Sequence, residues 1–396
     1  MSPVKRFILI SFFFALFFSP KVVQATISTP QEPPKSNVTD GQFQSLGLQE
    51  VQNFWEDVVT KYGGYLPESQ KGSFLEFVKG EKEFSLKEWF VGFLKFIFHE
   101  ILANGKLLGM LVLLTILSAL LQSLQSAFDK SNISKIADAV IYLVLIVVAL
   151  NSFYVAASYA QEAIQQMINF VIALLPILLA LIAATGGVIS ASFFHPIVML
   201  LMSTSGMFIK FFVLPLLFLA TILSIVSTIS DQYKVTKLAN LLRNISVGAL
   251  GIFLTIFLGV LSVQGTATAI SDGIAIKTAK FVTGNFIPVI GRVFTDAADT
   301  VLSASALLKN TIGIAGVVML LLIVAFPAIK ILSIALIYKV AAAILQPLGS
   351  NPVISCLDTI GKCVIYVFAS LGIVSLMFFL TITVIITAGN ITLMFR

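Results

Sequence analysis

Residues 214–265 read LPLLFLATILSIVSTISDQYKVTKLANLLRNISVGALGIFLTIFLGVLSVQG. An apolar run with Pro215 near its start leads into a polar segment carrying Lys234, Lys237 and Arg243, and a second apolar run comes after it. Two apolar runs joined by a short basic loop make a membrane hairpin with the loop in the cytoplasm. The same plan lies on either side. Ile222-Leu223-Ser224 has counterparts at Ile116-Leu117-Ser118 and Ile331-Leu332-Ser333, and Ile133–Asp138 echoes Val235–Asn240. Cys356–Ile360 echoes Leu241–Ile245, and Pro215 and Pro327 are spaced like Pro176 and Pro288. The pattern predicts roughly three parallel copies of a helical hairpin, a plan used by transport proteins.

Composition fixes the class. Hydrophobic residues make up 58% of the 396 and charged residues 11%, less than half of the roughly 25% usual in soluble domains. The charges concentrate between Glu32 and Lys106. The expected fold is an all-α polytopic membrane protein of about seven to nine membrane segments, with a small helical head outside the cytoplasm. The net charge of +6 comes without a basic run or basic face, so it speaks for membrane topology and against nucleic acid. Cys356 and Cys363, seven residues apart on one helix, are poorly placed for a disulfide and read as two small apolar side chains.

The chain begins with Lys5 and Arg6 before an apolar core, Phe7–Phe18, which is too short to span. Val23-Gln24-Ala25 then suits signal peptidase, giving a cleaved signal over 1–25 with Thr26 as the new N-terminus; an uncleaved anchor is the alternative. Both place the next residues outside the cytoplasm. Residues 26–41, with Pro30, Pro33 and Pro34, form a linker. Residues 42–104 form the amphipathic extracytoplasmic region. Gln42–Tyr62 places Val51, Trp55, Val58 and Tyr62 at helical spacing, and Ser85 with Glu88 is a capping box opening a second helix. That helix carries Trp89, Phe90, Phe93, Phe96 and Phe98, which suit either the membrane interface or packing on neighbouring helices.

The first membrane repeat covers 105–158, with Lys130 and Lys135 in its cytoplasmic loop; the second covers 159–265 and the third 266–396. Ser158–Asn169 reads as an outer loop. Phe170–Ile209 then forms a short hairpin or a re-entrant pair that turns at Gly186-Gly187 and His195-Pro196. In the third repeat Arg292, Asp296, Asp299 and Ser303 fall at i, i+4, i+7 and i+11, one polar stripe on an apolar helix. Either this helix lies on the outer surface or the stripe lines an aqueous passage. Lys277 and Lys280, placed outside, run against the positive-inside pattern. Thr311–Leu345, divided by Pro327 and Lys330, makes one kinked helix or two short ones. Gln346–Pro352 is a loop and Cys363–Ala388 the last span.

No Gly-rich phosphate loop, metal-ligand spacing or nucleophile motif occurs, so neither a cofactor nor an enzymatic activity is expected, and an ATP-driven step needs a separate subunit. The segments Lys237–Gly251, Asp272–Phe281, Asn285–Gly291, Asp299–Val301 and Leu308–Thr311 resemble the stage III sporulation protein AE family, as do Tyr338–Pro347 and Cys356–Gly361. The likeness covers nearly the whole chain. It implies a multi-pass protein of the mother-cell membrane around the forespore, with its head in the intermembrane space. The implied assembly is a channel or secretion apparatus needed for late forespore gene expression. Its partners are other stage III sporulation proteins, including ring-forming subunits, a cytoplasmic ATPase and a forespore-side membrane partner. The family supplies no catalytic residues. An assembly scaffold and a stand-alone secondary transporter remain alternatives.

Overall fold

The computed structural model describes residues 48–67, 74, 76, 85–127, 132–229, 234–286, 290–348 and 352–394. Within these, the side chains of residues 86, 121–139, 279–302, 304 and 391–394 lie outside the description. The signal with Ala25, the linker, Lys130 and Pro288 also lie outside the described residues.

Nine α-helices make up the described chain: α1 (Gln49–Tyr62), α2 (Leu86–Ala103), α3 (Gly105–Ala127), α4 (Asn132–Ala184), α5 (Val188–Phe208), α6 (Leu214–Ile229), α7 (Thr236–Phe286), α8 (Ile290–Leu345) and α9 (Pro352–Met394). No strand occurs among the described residues. Five segments are long and apolar enough to cross a membrane: one in each of α4, α7, α8 and α9, and one running through α5 and α6. The α2–α3 pair, bent by 49°, adds a sixth if it counts as one span. The difference from seven to nine has a simple cause: the helices are longer than the hydropathy pattern suggests. Ser158–Asn169 is no loop but part of α4, so the expected boundary after residue 158 falls inside a 53-residue helix. His195 and Pro196 lie inside α5, and Pro327 lies inside the single 56-residue α8.

The sharp turn comes at Thr185–Gly187, where Gly186 has φ +91°, a conformation that glycine takes without a Cβ clash. A π-helical turn, Ile209–Val213, joins α5 to α6, and the amide of Leu214 donates to the carbonyl of Ile209. It precedes Pro215, which has no amide to give the ladder, and widening the turn absorbs that loss.

Contacts along the long helices fix their relative heights. Taking as the lower end the one where α4, α7 and α9 begin, the lower halves meet at Phe153–Phe218, at Ser246 Oγ on the Val213 carbonyl (3.1 Å) and at Tyr338 Oη on Ser152 Oγ (2.8 Å). The upper halves meet at Leu174 beside Gly316 and at Lys309 Nζ on Asn390 Oδ1 (2.7 Å). Interpolating between these contacts puts Glu162 of α4, Lys210 of the π turn and Lys330 of α8 at one height, about 45 Å above the start of α4 and about 22 Å above the lower end of α8. The first two are exposed and the third half-buried.

α1 and α2 dock at this middle level. Val51, Trp55 and Val58 form the buried face of α1, and Phe54 meets Phe170 of α4 edge-on at 5.6 Å. Tyr62 stacks on Phe326 at 3.9 Å, while Phe93 and Phe96 of α2 approach the same ring at 5.8 and 5.0 Å. Ser85 caps α2 by accepting from the Glu88 amide. The opposite face of α2 leaves Phe90, Phe98 and Leu102 exposed. The packing reading of this helix therefore holds on one side, and the other side is apolar and exposed.

Candidate functional site

The sites that stand out are charged side chains held at three heights on the bundle. The middle level carries a cleft of about 260 Å³ between α1, α4 and α8, lined by Tyr62, Tyr159, Glu162 and Lys330 among others. The Lys330 ammonium lies over both rings, 5.9 Å from Tyr62 and 5.3 Å from Tyr159. Burial pushes the Tyr62 hydroxyl up to about 12, and the carboxylates of Glu162, Glu100 and Asp57 push the same way. A raised tyrosine favours the neutral ring in the folded state. Its contribution is complete below pH 10 and is lost as pH rises from 10 through about 12. Docking of α1 should therefore loosen in that window, read as faster proteolysis near Tyr62. The Tyr62→Phe variant should show a smaller change there.

At the upper end two charges are buried. Asp272 of α7 is 1% exposed and accepts from the amides of Ile189 (2.8 Å) and Ser190 (3.0 Å). It thus caps α5 from another helix, where the exposed amides and the helix dipole favour a negative charge. Lys309 of α8 is fully buried, with its ammonium on Asn390 of α9. Among the described residues no carboxylate lies within ion-pair distance of it. A Cβ on Gly389 would stand 2.6 Å from that nitrogen, so a larger residue there would push the end of the lysine aside. Ile182 packs against both neighbourhoods, near Gly187 beside Asp272 and near Gly389 beside Lys309.

The lower end is basic and more open. Lys339 and Lys362 both bridge to Asp358, beside a cleft of about 650 Å³ between α8 and α9. Arg243 sits over the Tyr366 ring at 5.0 Å and bonds Asn240. Lys234 and Lys237 are exposed before and at the start of α7. Lys135 belongs to α4, but its side chain lies outside the description. Cys356 and Cys363 are free and buried, as their spacing implies.

Of the predicted stripe, all four positions lie on α8 and Ser303 is exposed, while the side chains of Arg292, Asp296 and Asp299 lie outside the description. Sequence reasoning gave no role to Asp272 and Lys309. Their charge inside apolar runs was the available signal, but their partners are 83 and 81 residues away.

A bundle of long apolar helices with basic residues gathered at one end defines an all-helical, multi-span membrane protein. The profile described as Stage III sporulation protein AE matches residues 69–389. The chain is 63% identical over 352 residues to stage III sporulation protein AE of Bacillus subtilis (strain 168), covering 89% of this chain and 88% of that one. It belongs to the stage III sporulation protein AE family. No solved structure matches it.

Proposed function

We propose that this protein is the non-enzymatic membrane subunit of a channel or secretion apparatus joining the mother cell to the engulfed forespore, supporting late forespore gene expression. Its lower half sits in the mother-cell membrane, with the basic end in the cytoplasm. α1, α2 and the upper half face the intermembrane space. A separate ATPase energises it, and ring-forming subunits and a forespore-side partner complete the assembly. The three helix pairs α3–α4, α6–α7 and α8–α9 are read as copies of one hairpin; Ser118, Ser224 and Ser333 are each buried in the first helix of a pair.

The observation that supports this reading best is the change along α4, whose large apolar side chains face outward below the level of Glu162 and are buried above it. Below the level of Glu162, Lys210 and Lys330, apolar side chains face outward on α3, α4, α6, α7, α8 and α9, as lipid requires. At that level α2 presents Phe90, Phe98 and Leu102 outward with Lys95 nearby, the composition of an interfacial helix. Above it α4 is a buried core helix. A subunit that links a membrane to an assembly outside it needs this division.

The test is sporulation itself. Asp296→Leu with Asp299→Leu should lower heat-resistant spore yield at least tenfold while protein level and assembly stay normal. Full yield from this double variant would count against a conducting role. A scaffold instead predicts that removing residues 42–62 disperses the partner proteins while the double variant sporulates normally.

A further inference from the structure

Three charged side chains meet where α8 and α9 face each other at the lower end. Lys339 of α8 bridges to Oδ1 of Asp358 on α9, and Lys362, one turn further along α9, bridges to Oδ2 at 2.7 Å. One lysine is enough to neutralise the carboxylate and tie the two helices together. The second leaves the group with one positive charge in excess. An exposed ion pair within one helix contributes little to stability, and the Lys362 side chain is 57% exposed and does not connect the helices. A structural tie therefore accounts for Lys339 and leaves Lys362 unexplained.

The three charges border the cleft of about 650 Å³, a volume within the range of small-molecule sites. A Cβ on Gly361 would stand 3.1 Å from Cγ of Lys339, so the lysine stem crosses α9 beside a glycine on its way to Asp358. Gln346 and Ser355, both exposed, line the same cleft. An ammonium has three N–H donors and each lysine uses one on Asp358, so donors remain for a further oxygen. Lys339 lies six residues before the end of α8 and Asp358 six after the start of α9, about 9 Å from the helix ends. From that depth a lysine stem brings its ammonium to the headgroup layer. Within about a turn, Leu336 and Val340 of α8 and Ile365 of α9 are exposed.

We propose that the cleft between α8 and α9 binds the phosphate of an anionic phospholipid. Lys339 and Lys362 donate to the phosphate oxygens, and the acyl chains lie over Leu336, Val340 and Ile365. The excess positive charge selects an anion, and an ethanolamine headgroup, which carries its own ammonium, matches it less well. The exposed apolar residues beside the cleft favour a lipid over free phosphate. Basic pockets between helices at the cytoplasmic face are a recurring lipid site. The proposal rests on the lower end lying at a membrane face, as proposed above, and not on what the apparatus conveys.

The test titrates the full chain, purified in neutral detergent, with phosphatidylglycerol, phosphatidylethanolamine or inorganic phosphate, and counts bound molecules by native mass measurement. Phosphatidylglycerol should bind at least fivefold more tightly than phosphatidylethanolamine, and excess inorganic phosphate should not displace it. Lys362→Gln should lower that preference at least threefold at an unchanged unfolding temperature. Asp358→Asn removes the carboxylate that competes for both ammoniums, so it should raise the preference. Equal binding of the two lipids, or displacement by inorganic phosphate, would overturn the proposal. So would a folded Asp358→Asn variant with less preference than the parent, which would make the three charges structural alone. A loss in Lys237→Gln as large as in Lys362→Gln would also overturn it, because the attraction would then belong to the basic end as a whole. A spin label at Val340 in phosphatidylethanolamine–phosphatidylglycerol vesicles reports separately on the placement. If a water-soluble nickel complex reaches it and lipid-dissolved oxygen does not, the placement fails and the proposal with it. If oxygen reaches it and the two lipids bind equally, the proposal fails alone.

Discussion

Replacing Asp272 with leucine is expected to remove about 3 kcal/mol of stability and deplete the protein from the membrane. The carboxylate satisfies two amides at the start of α5. Hydrogen bonds to a charged group contribute about 1.5–3 kcal/mol each, and a buried amide left unpaired costs about 1–3 kcal/mol. These terms overlap and cannot simply be added, which is why the total stays near the lower end. Asp272→Asn keeps one acceptor oxygen and should recover roughly half of the loss. The check is the apparent unfolding temperature in detergent alongside the amount in membranes. A leucine variant as stable as the parent would mean that water or another group caps α5 equally well.

Lys309 should behave in the opposite way. A buried ammonium with one hydrogen-bonding partner and no carboxylate beside it among the described residues is a cost to the fold, because desolvation outweighs what a single amide returns. Replacing both partners with apolar groups of similar shape removes that cost. The double variant Lys309→Met, Asn390→Leu is therefore expected to be as stable as the parent or more so, by about 1–3 kcal/mol. Buried charges retained against their cost are functional candidates, so spore yield should fall at least tenfold in the same variant. Normal yield would leave Lys309 without a functional role. Lost stability and lost yield together would make the pair structural.

The two predictions separate residues that the sequence could not tell apart. Asp272 and Lys309 are both lone charges within apolar runs. The partner of Asp272 is backbone, which every sequence carries everywhere, so no residue pattern marks it. The partner of Lys309 is one asparagine near the far end of the chain. Local features were easier to read. The serine cap of α2, the α1 face through Val51, Trp55 and Val58, and the free buried cysteines all depend on residues within one or two helical turns.

The span count was less legible for a physical reason. Hydropathy falls across Ser158–Asn169 whether the backbone leaves the membrane as a loop or continues as a helix into a polar level. Helical spacing was the better guide: Gln165 donates to Asn169 one turn on, at 2.9 Å, and Glu162 lies on the same exposed side. By composition alone the apolar stretch Phe170–Ile189 reads as a further crossing, and its part on α4 ends at Ala184. In the structure those residues are apolar because they form a protein core under α1, α5, α8 and α9. A core helix and a membrane helix have the same composition, and only their neighbours distinguish them.

Membrane depth is the point on which the functional reading turns. The most direct measurement places spin labels singly at Val147 in the lower half and Gln165 at the middle level, both exposed. Collision with lipid-dissolved oxygen is then compared with collision with a water-soluble nickel complex. Lipid over the lower half predicts that oxygen dominates at Val147 and nickel at Gln165. Nickel dominating at Val147, or oxygen dominating at Gln165, would contradict it and move the membrane to the upper half.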